Sequence, residues 1–129
     1  MHIPPLITVI DDDASVRTAV DSLLRARGYT VYLFASAAEF LRSPQFDETC
    51  CVIADVQMPA MSGIELLSLL RKQGCGVPFI FITAFPEEAV RVRALSDGAI
   101  CFLAKPFDGT TLIRCIEAAL GAHRDPSSR

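Results

Sequence analysis

Five short apolar runs recur along the chain, Leu6 to Ile10, Tyr29 to Phe34, Cys50 to Ala54, Pro78 to Ile82 and Ile100 to Leu103, with helix-like segments between them. Five such strands suggest a parallel sheet. In the first intervening segment Val16, Ala19, Val20, Leu23 and Leu24 fall at helical spacing, and Gly28 follows as a stop signal. Ser36 can cap a short helix carrying Phe40 and Leu41, while Ser62 or Gly63 begins another with Ile64, Leu67 and Leu70, ended by Gly74. Pro86 with Glu87 and Glu88 is expected to open a fourth helix, since proline suits a first turn and acids suit the positive dipole end. The fifth, about Gly109 to Leu120, carries Leu112, Ile113, Ile116 and Leu120 on one face, and the polar stretch from His123 to Arg129 reads as a frayed tail.

Alternating strands and helices in 129 residues imply right-handed βαβ crossovers with helices on both sheet faces, a doubly wound α/β fold of one domain. In such folds the ligand site lies at the carboxyl ends of the strands. No internal repeat, low-complexity stretch or interior linker divides the chain.

Several function classes are disfavoured by composition. A net charge of −3 argues against a nucleic-acid surface, which needs clustered Lys and Arg. The five cysteines show neither paired CxxC spacing nor a Cys/His cluster, so reduced buried thiols are expected. Neither a secretory leader nor a membrane-length apolar run is evident, and the expectation is a soluble cytoplasmic protein. Glycine-rich phosphate cradles are absent, and Gly74-Cys75-Gly76 reads as a loop.

Polar residues stand where the strands end: Asp11, Asp12 and Asp13 after the first, Asp55 after the third, Thr83 after the fourth and Lys105 after the fifth. Three successive acids can be a helix N-terminal cap, favoured by the macrodipole, and Asp13 is open to that reading alone. Their mutual repulsion is also relieved by a divalent cation with oxygen ligands. Asp55 by itself reads as a turn residue and Lys105 as a solvated cation. Together with the acids of the neighbouring strand, they read as one site in which an ammonium faces Asp55. Pro106 follows Lys105, and X-Pro bonds admit the cis form that can re-aim a strand end.

The set Ile10-Asp11-Asp12-Asp13, Asp55-Val56-Gln57-Met58-Pro59 with Gly63, Thr83-Ala84, and Lys105-Pro106-Phe107 resembles the signature of response-regulator receiver domains. The similarity spans about Leu6 to Leu120 and is closest to the FixJ-like subgroup. It implies the CheY-like, flavodoxin-like (βα)5 three-layer sandwich with sheet order 2-1-3-4-5, residues 1–121 as receiver and 122–129 as a tail or the start of a linker. It further implies Asp55 as phospho-acceptor, with Mg²⁺ held by Asp12, Asp55 and the Gln57 backbone carbonyl and by Asp11 through water. Thr83, Ala84 and Lys105 would contact the phosphoryl group, Thr83 and Phe102 would form the switch pair, and Pro106 would be structural. The implied partners are a sensor histidine kinase or phosphotransfer protein and a downstream effector or output domain. A phosphorylation-dependent homodimer through the fourth helix, fifth strand and fifth helix is also implied, with no direct nucleic-acid or membrane contact. Such a chain is a signalling switch rather than an enzyme on other substrates.

Two other readings compete. Asp11 and Asp13 give the D-x-D spacing of an aspartate-nucleophile phosphohydrolase, although Ala14-Ser15 stands where that pattern continues Gly-Thr. The other is a pseudo-receiver, a binding module on this fold that is never phosphorylated. Phe85, where many receivers carry a small or polar residue, is expected either to cover the Asp55 phosphoryl group, with Gln57 as a second access residue, or to pack against the fourth helix.

Overall fold

The apolar runs become five strands, β1 (Leu6–Ile10), β2 (Thr30–Phe34), β3 (Cys51–Asp55), β4 (Phe79–Thr83) and β5 (Cys101–Ala104). They alternate with α1 (Ala14–Ala26), α2 (Ala37–Leu41), α3 (Gly63–Lys72), α4 (Glu88–Ser96) and α5 (Gly109–Arg124), with a 3-10 turn at Phe46–Glu48. This computed structural model describes residues 4–124, with side chains as far as Gly121. Helix α5 runs past Leu120, and residues 125–129 of the expected tail lie outside the described residues.

All four pairings are parallel, in the order β2-β1-β3-β4-β5. The central strands β1, β3 and β4 are buried throughout, because helices cover both faces, while the edge strands β2 and β5 are partly open. Side chains alternate along each strand, so the sheet splits the core in two. Ile10, Val52, Ala54 and Phe81 join Leu66, Leu67 and Leu70 of α3 on one side. Ile7, Val9, Ile53, Ile80 and Ile82 join Val20 and Leu24 of α1 and Leu112 and Ile116 of α5 on the other. Three layers result.

Strands β1 and β2 end where the apolar runs do, but β3, β4 and β5 each end one residue later. Asp55 and Thr83 belong to β3 and β4, and the ladder continues beyond them through Val56 N–H to Ile82 O (3.1 Å) and Lys105 N–H to Thr83 O (2.8 Å). Hydrogen bonding, not side-chain polarity, sets these boundaries.

Ser36 caps α2, and Ser62 caps α3 through a full capping box with Glu65. Helix α4 departs from expectation. Glu87 holds an extended backbone as its N-cap (φ −115°, ψ 137°), so the helix begins at Glu88 and Pro86 lies outside it. Ala19 also departs: it is exposed on α1, whose buried stripe is carried by Val20 and Leu24 with Val16 and Leu23 at its margin. Among the described residues no helix is long and apolar enough to cross a membrane.

Candidate functional site

The register brings the carboxyl ends of β1, β3, β4 and β5 to one edge, with Ile10 beside Ala54, Asp55 beside Ile82 and Thr83 beside Ala104. Asp11 leaves β1 fully buried (0%), its N–H held by Phe34 O at 3.1 Å and its Oδ1 accepting from Asp13 N–H at 2.9 Å. Asp55 is nearly as buried (6%), and its Oδ1 accepts from Gln57 N–H at 3.1 Å. Asp12 stands exposed beside them.

Lys105 reaches this floor from the end of β5. Its Nζ lies 3.0 Å from Asp11 Oδ2 and donates to Asp55 Oδ2 at 3.2 Å. Burial disfavours the ammonium, but the contacts with Asp11 and then Asp55 outweigh it and hold the Lys105 pKa above its ordinary value. For Asp11 burial wins: its carboxyl is raised, against the lowering influence of Asp13 N–H and Lys105.

Oxygen atoms of Asp11, Asp12 and Asp55 lie within 4.8 Å of one another, the spacing of ligands around a single cation. Asp11 Oδ2 is buried and makes no hydrogen bond, since its contact with Lys105 is ionic and off hydrogen-bond geometry. An all-oxygen set with an orphaned carboxylate oxygen fits a hard divalent ion such as Mg²⁺. Asp13 stands apart from this set. Its Oδ1 accepts from Ser15 N–H (2.9 Å) and Oγ–H (2.7 Å), capping α1, and these bonds hold its carboxyl below the ordinary range. It is the helix cap that three successive acids at a strand end allow.

Thr83 is fully buried, and its Oγ1 accepts from Phe85 N–H at 3.1 Å. Ala84 is exposed next to it. Phe102 is half-buried against the core half that includes Phe81 and Ala94, and it lines a small cavity with Pro86, Glu88 and Arg91. The Lys105–Pro106 peptide bond is cis. Phe85 is 66% exposed, just before α4. Gln57 is exposed after Asp55.

Arg17 carries no signal in the sequence, and Gly63 stands in the signature without a reason that the sequence supplies. Arg17 Nη1 donates to the Asp11 carbonyl at 2.7 Å and pins the β1–α1 junction; a basic residue on a helix gives no signal of that. Gly63 has a clearer reason. A Cβ there would collide with the Asp55 carbonyl oxygen, so only glycine lets α3 begin this close to β3.

Fold and site thus define a doubly wound domain with a carboxylate–lysine cluster at its strand ends. The chain belongs to the response regulator receiver domain family, which it matches over residues 7–117. It is 39% identical over 114 residues to the transcriptional regulatory protein FixJ of Bradyrhizobium diazoefficiens, covering 88% of this chain and 56% of that one. To the response regulator protein TodT of Pseudomonas putida it is 38% identical over 115 residues, covering 89% and 51%. Nodulation protein W of Bradyrhizobium diazoefficiens is 37% identical over 114 residues, with 88% and 50% covered. The chain therefore spans about half the length of these relatives. Among solved structures, response regulator StyR superposes with a TM-score of 0.89 at 39% identity, covering 98% of this chain and 64% of that one. FixJ-N gives 0.81 at 32%, covering 92% and 95%.

Proposed function

We propose that this chain is the phospho-accepting receiver of a two-component phosphorelay and takes a phosphoryl group from a histidine kinase phosphohistidine onto Asp55. The observation that carries the reading is the convergence of Asp11, Asp12, Asp55 and Lys105 from three separate strand ends. Gln57 N–H and Lys105 each hold one oxygen of Asp55, which fixes the carboxylate before a donor arrives.

In the transfer, an Asp55 oxygen forms a bond to phosphorus as the P–N bond to imidazole breaks, and the leaving imidazole is protonated by solvent. Lys105 neutralises charge that spreads over the phosphoryl oxygens. Mg²⁺, when bound by Asp12, Asp55 and the Gln57 carbonyl and through water by Asp11, supplies further charge neutralisation. Thr83 and Ala84 meet the phosphoryl group at the end of β4. As Thr83 swings towards it, Phe102 turns inward, and the surface of α4, β5 and α5 changes by population shift.

Phe85 and Gln57 are assigned to control access of water to the acyl phosphate, supported by the exposure of both. Residues 1–121 act as the receiver and 122–129 as a tail or the start of a linker. The setting is cytoplasmic, with the kinase or phosphotransfer protein upstream and an effector or output domain downstream, and the phosphorylated form pairs through α4, β5 and α5. Contact with nucleic acid is left to another module. The chain catalyses only its own phosphoryl transfer and dephosphorylation.

Intact mass spectrometry after incubation with acetyl phosphate and Mg²⁺ tests the reading. It predicts a gain of one phosphate that disappears in Asp55→Asn. No gain in the folded wild type leaves a binding module that is never phosphorylated.

A further inference from the structure

Asp11 and Asp12 are joined by one peptide unit, which carries the Asp11 carbonyl on one side and the Asp12 N–H on the other. The unit is planar, so its tilt sets ψ of Asp11 and φ of Asp12 together, and with them the direction in which the chain carries one carboxylate from the other. Arg17 Nη1 donates to that carbonyl at 2.7 Å. Among the described residues no backbone N–H reaches it. Arg17 grips the segment a second time, because its own N–H donates to Asp13 O at 3.1 Å and closes the first turn of α1. Asp12 is exposed and takes its place from the backbone between these two anchors.

We propose that Arg17 is a positioning residue for Mg²⁺. Through its bond to the Asp11 carbonyl it holds Asp11 and Asp12 at the spacing that binds the ion, without touching the ion itself. The inference rests on the reading of Asp11, Asp12 and Asp55 as a Mg²⁺ site.

The two basic residues divide the work. Lys105 ties Asp11 to Asp55 through their carboxylates, whereas Arg17 fixes Asp12 relative to Asp11 through the main chain. Oxygen atoms of all three acids come within 4.8 Å of one another only while the peptide unit between the first two keeps its tilt. Reaching back from α1 to a carbonyl six residues earlier takes a long side chain with a donor at its end, and the half-buried Arg17 supplies both. Charge and position act in opposite directions here. A guanidinium near a cation site opposes the cation by Coulomb repulsion, so removing it tightens binding if charge is all it contributes. Removing a clasp that sets the ligand spacing weakens binding instead.

The test titrates magnesium chloride into the folded full chain without a phosphodonor and follows the amide NMR resonances around Asp12 and Asp55. Folded-state resonances report the affinity of the folded protein whatever fraction is unfolded, so lost stability alone does not move the dissociation constant. Arg17→Met keeps an unbranched stem without a donor and should bind Mg²⁺ about tenfold or more weakly than wild type, the usual loss when a group that orients metal ligands is removed. Arg17→Lys restores a donor and should recover most of that affinity. Arg17→Gln, whose amide falls short of the carbonyl, should match Arg17→Met and carries the test if that variant does not fold. Binding as tight as wild type, or tighter, in a folded variant without the donor overturns the proposal, as does an Arg17→Lys protein that binds no better than Arg17→Met. A wild type that binds no Mg²⁺ removes the cation site itself and the proposal with it, a failure distinct from wild type and Arg17→Met binding alike.

Discussion

Lys105 Nζ and Asp11 Oδ2 stand 3.0 Å apart at the floor of the site, an ion pair that leaves the buried carboxylate oxygen without a hydrogen bond. The ammonium offsets the acids only in part, since burial still holds the Asp11 carboxyl above its ordinary value.

That direction gives a pH-dependent prediction. An acid with a raised folded pKa favours folding fully below its unfolded value of 3.8, and this contribution is lost as pH rises through the folded value. At neutral pH without Mg²⁺, Asp11→Asn should therefore melt a few degrees above wild type, roughly 1 kcal/mol, and the gap should close in acid. Added Mg²⁺ should raise the wild-type Tm more than that of the variant. Thermal melts across pH with and without Mg²⁺ check both statements, and a variant that melts below wild type at neutral pH contradicts them.

Gly63→Ala should destabilise the fold by roughly 1–3 kcal/mol, the usual cost of forcing an atom into a packed interior. The added Cβ would collide with the Asp55 carbonyl oxygen and stand 2.8 Å from Phe81 Cε1. Gly76→Ala is the control, because nothing lies within 4 Å of its Cβ position, and it should change stability by less than about 0.5 kcal/mol. Urea titration of the two variants separates them.

Phe85→Ala should leave stability within about 0.5 kcal/mol, given its 66% exposure. Loss of phosphate should become several-fold faster, because the aromatic side chain no longer obstructs water aligned opposite the leaving aspartyl oxygen. Equal rates in the two proteins remove Phe85 from the access role.

The alternation of runs and helices made the fold legible, because strands covered on both faces cannot avoid long apolar stretches. Site residues were legible where chemistry coincides with a strand end, as at Asp55, Thr83 and Lys105. Asp13 and Asp12 are adjacent and chemically identical, and only the turn geometry shows which one caps α1. The contact of Arg17 with the Asp11 carbonyl depends on how α1 docks on the sheet, which no local pattern encodes. Exposure of Phe85 was equally hidden, since an aromatic residue in sequence favours burial.

Phosphorylation should move backbone NMR resonances in α4 and β5. Val92 (52% exposed) and Leu95 already present apolar side chains there, and Phe102 lies between that surface and the core. In Thr83→Ala, which lacks the hydroxyl proposed to move towards the phosphate, the α4 and β5 shifts should shrink while phosphate is still gained. Unmoved resonances in phosphorylated wild type contradict the switch assignment.

The central claim, that Asp55 carries the phosphoryl group, is tested most directly by trapping the acyl phosphate. Borohydride reduces an aspartyl phosphate to homoserine, and peptide mapping then locates the reduced position. After acetyl phosphate and Mg²⁺, reduction should occur at position 55 alone and vanish when acetyl phosphate is omitted. Reduction at Asp11 or Asp12, or label that resists borohydride and maps to a hydroxyl side chain, would contradict it.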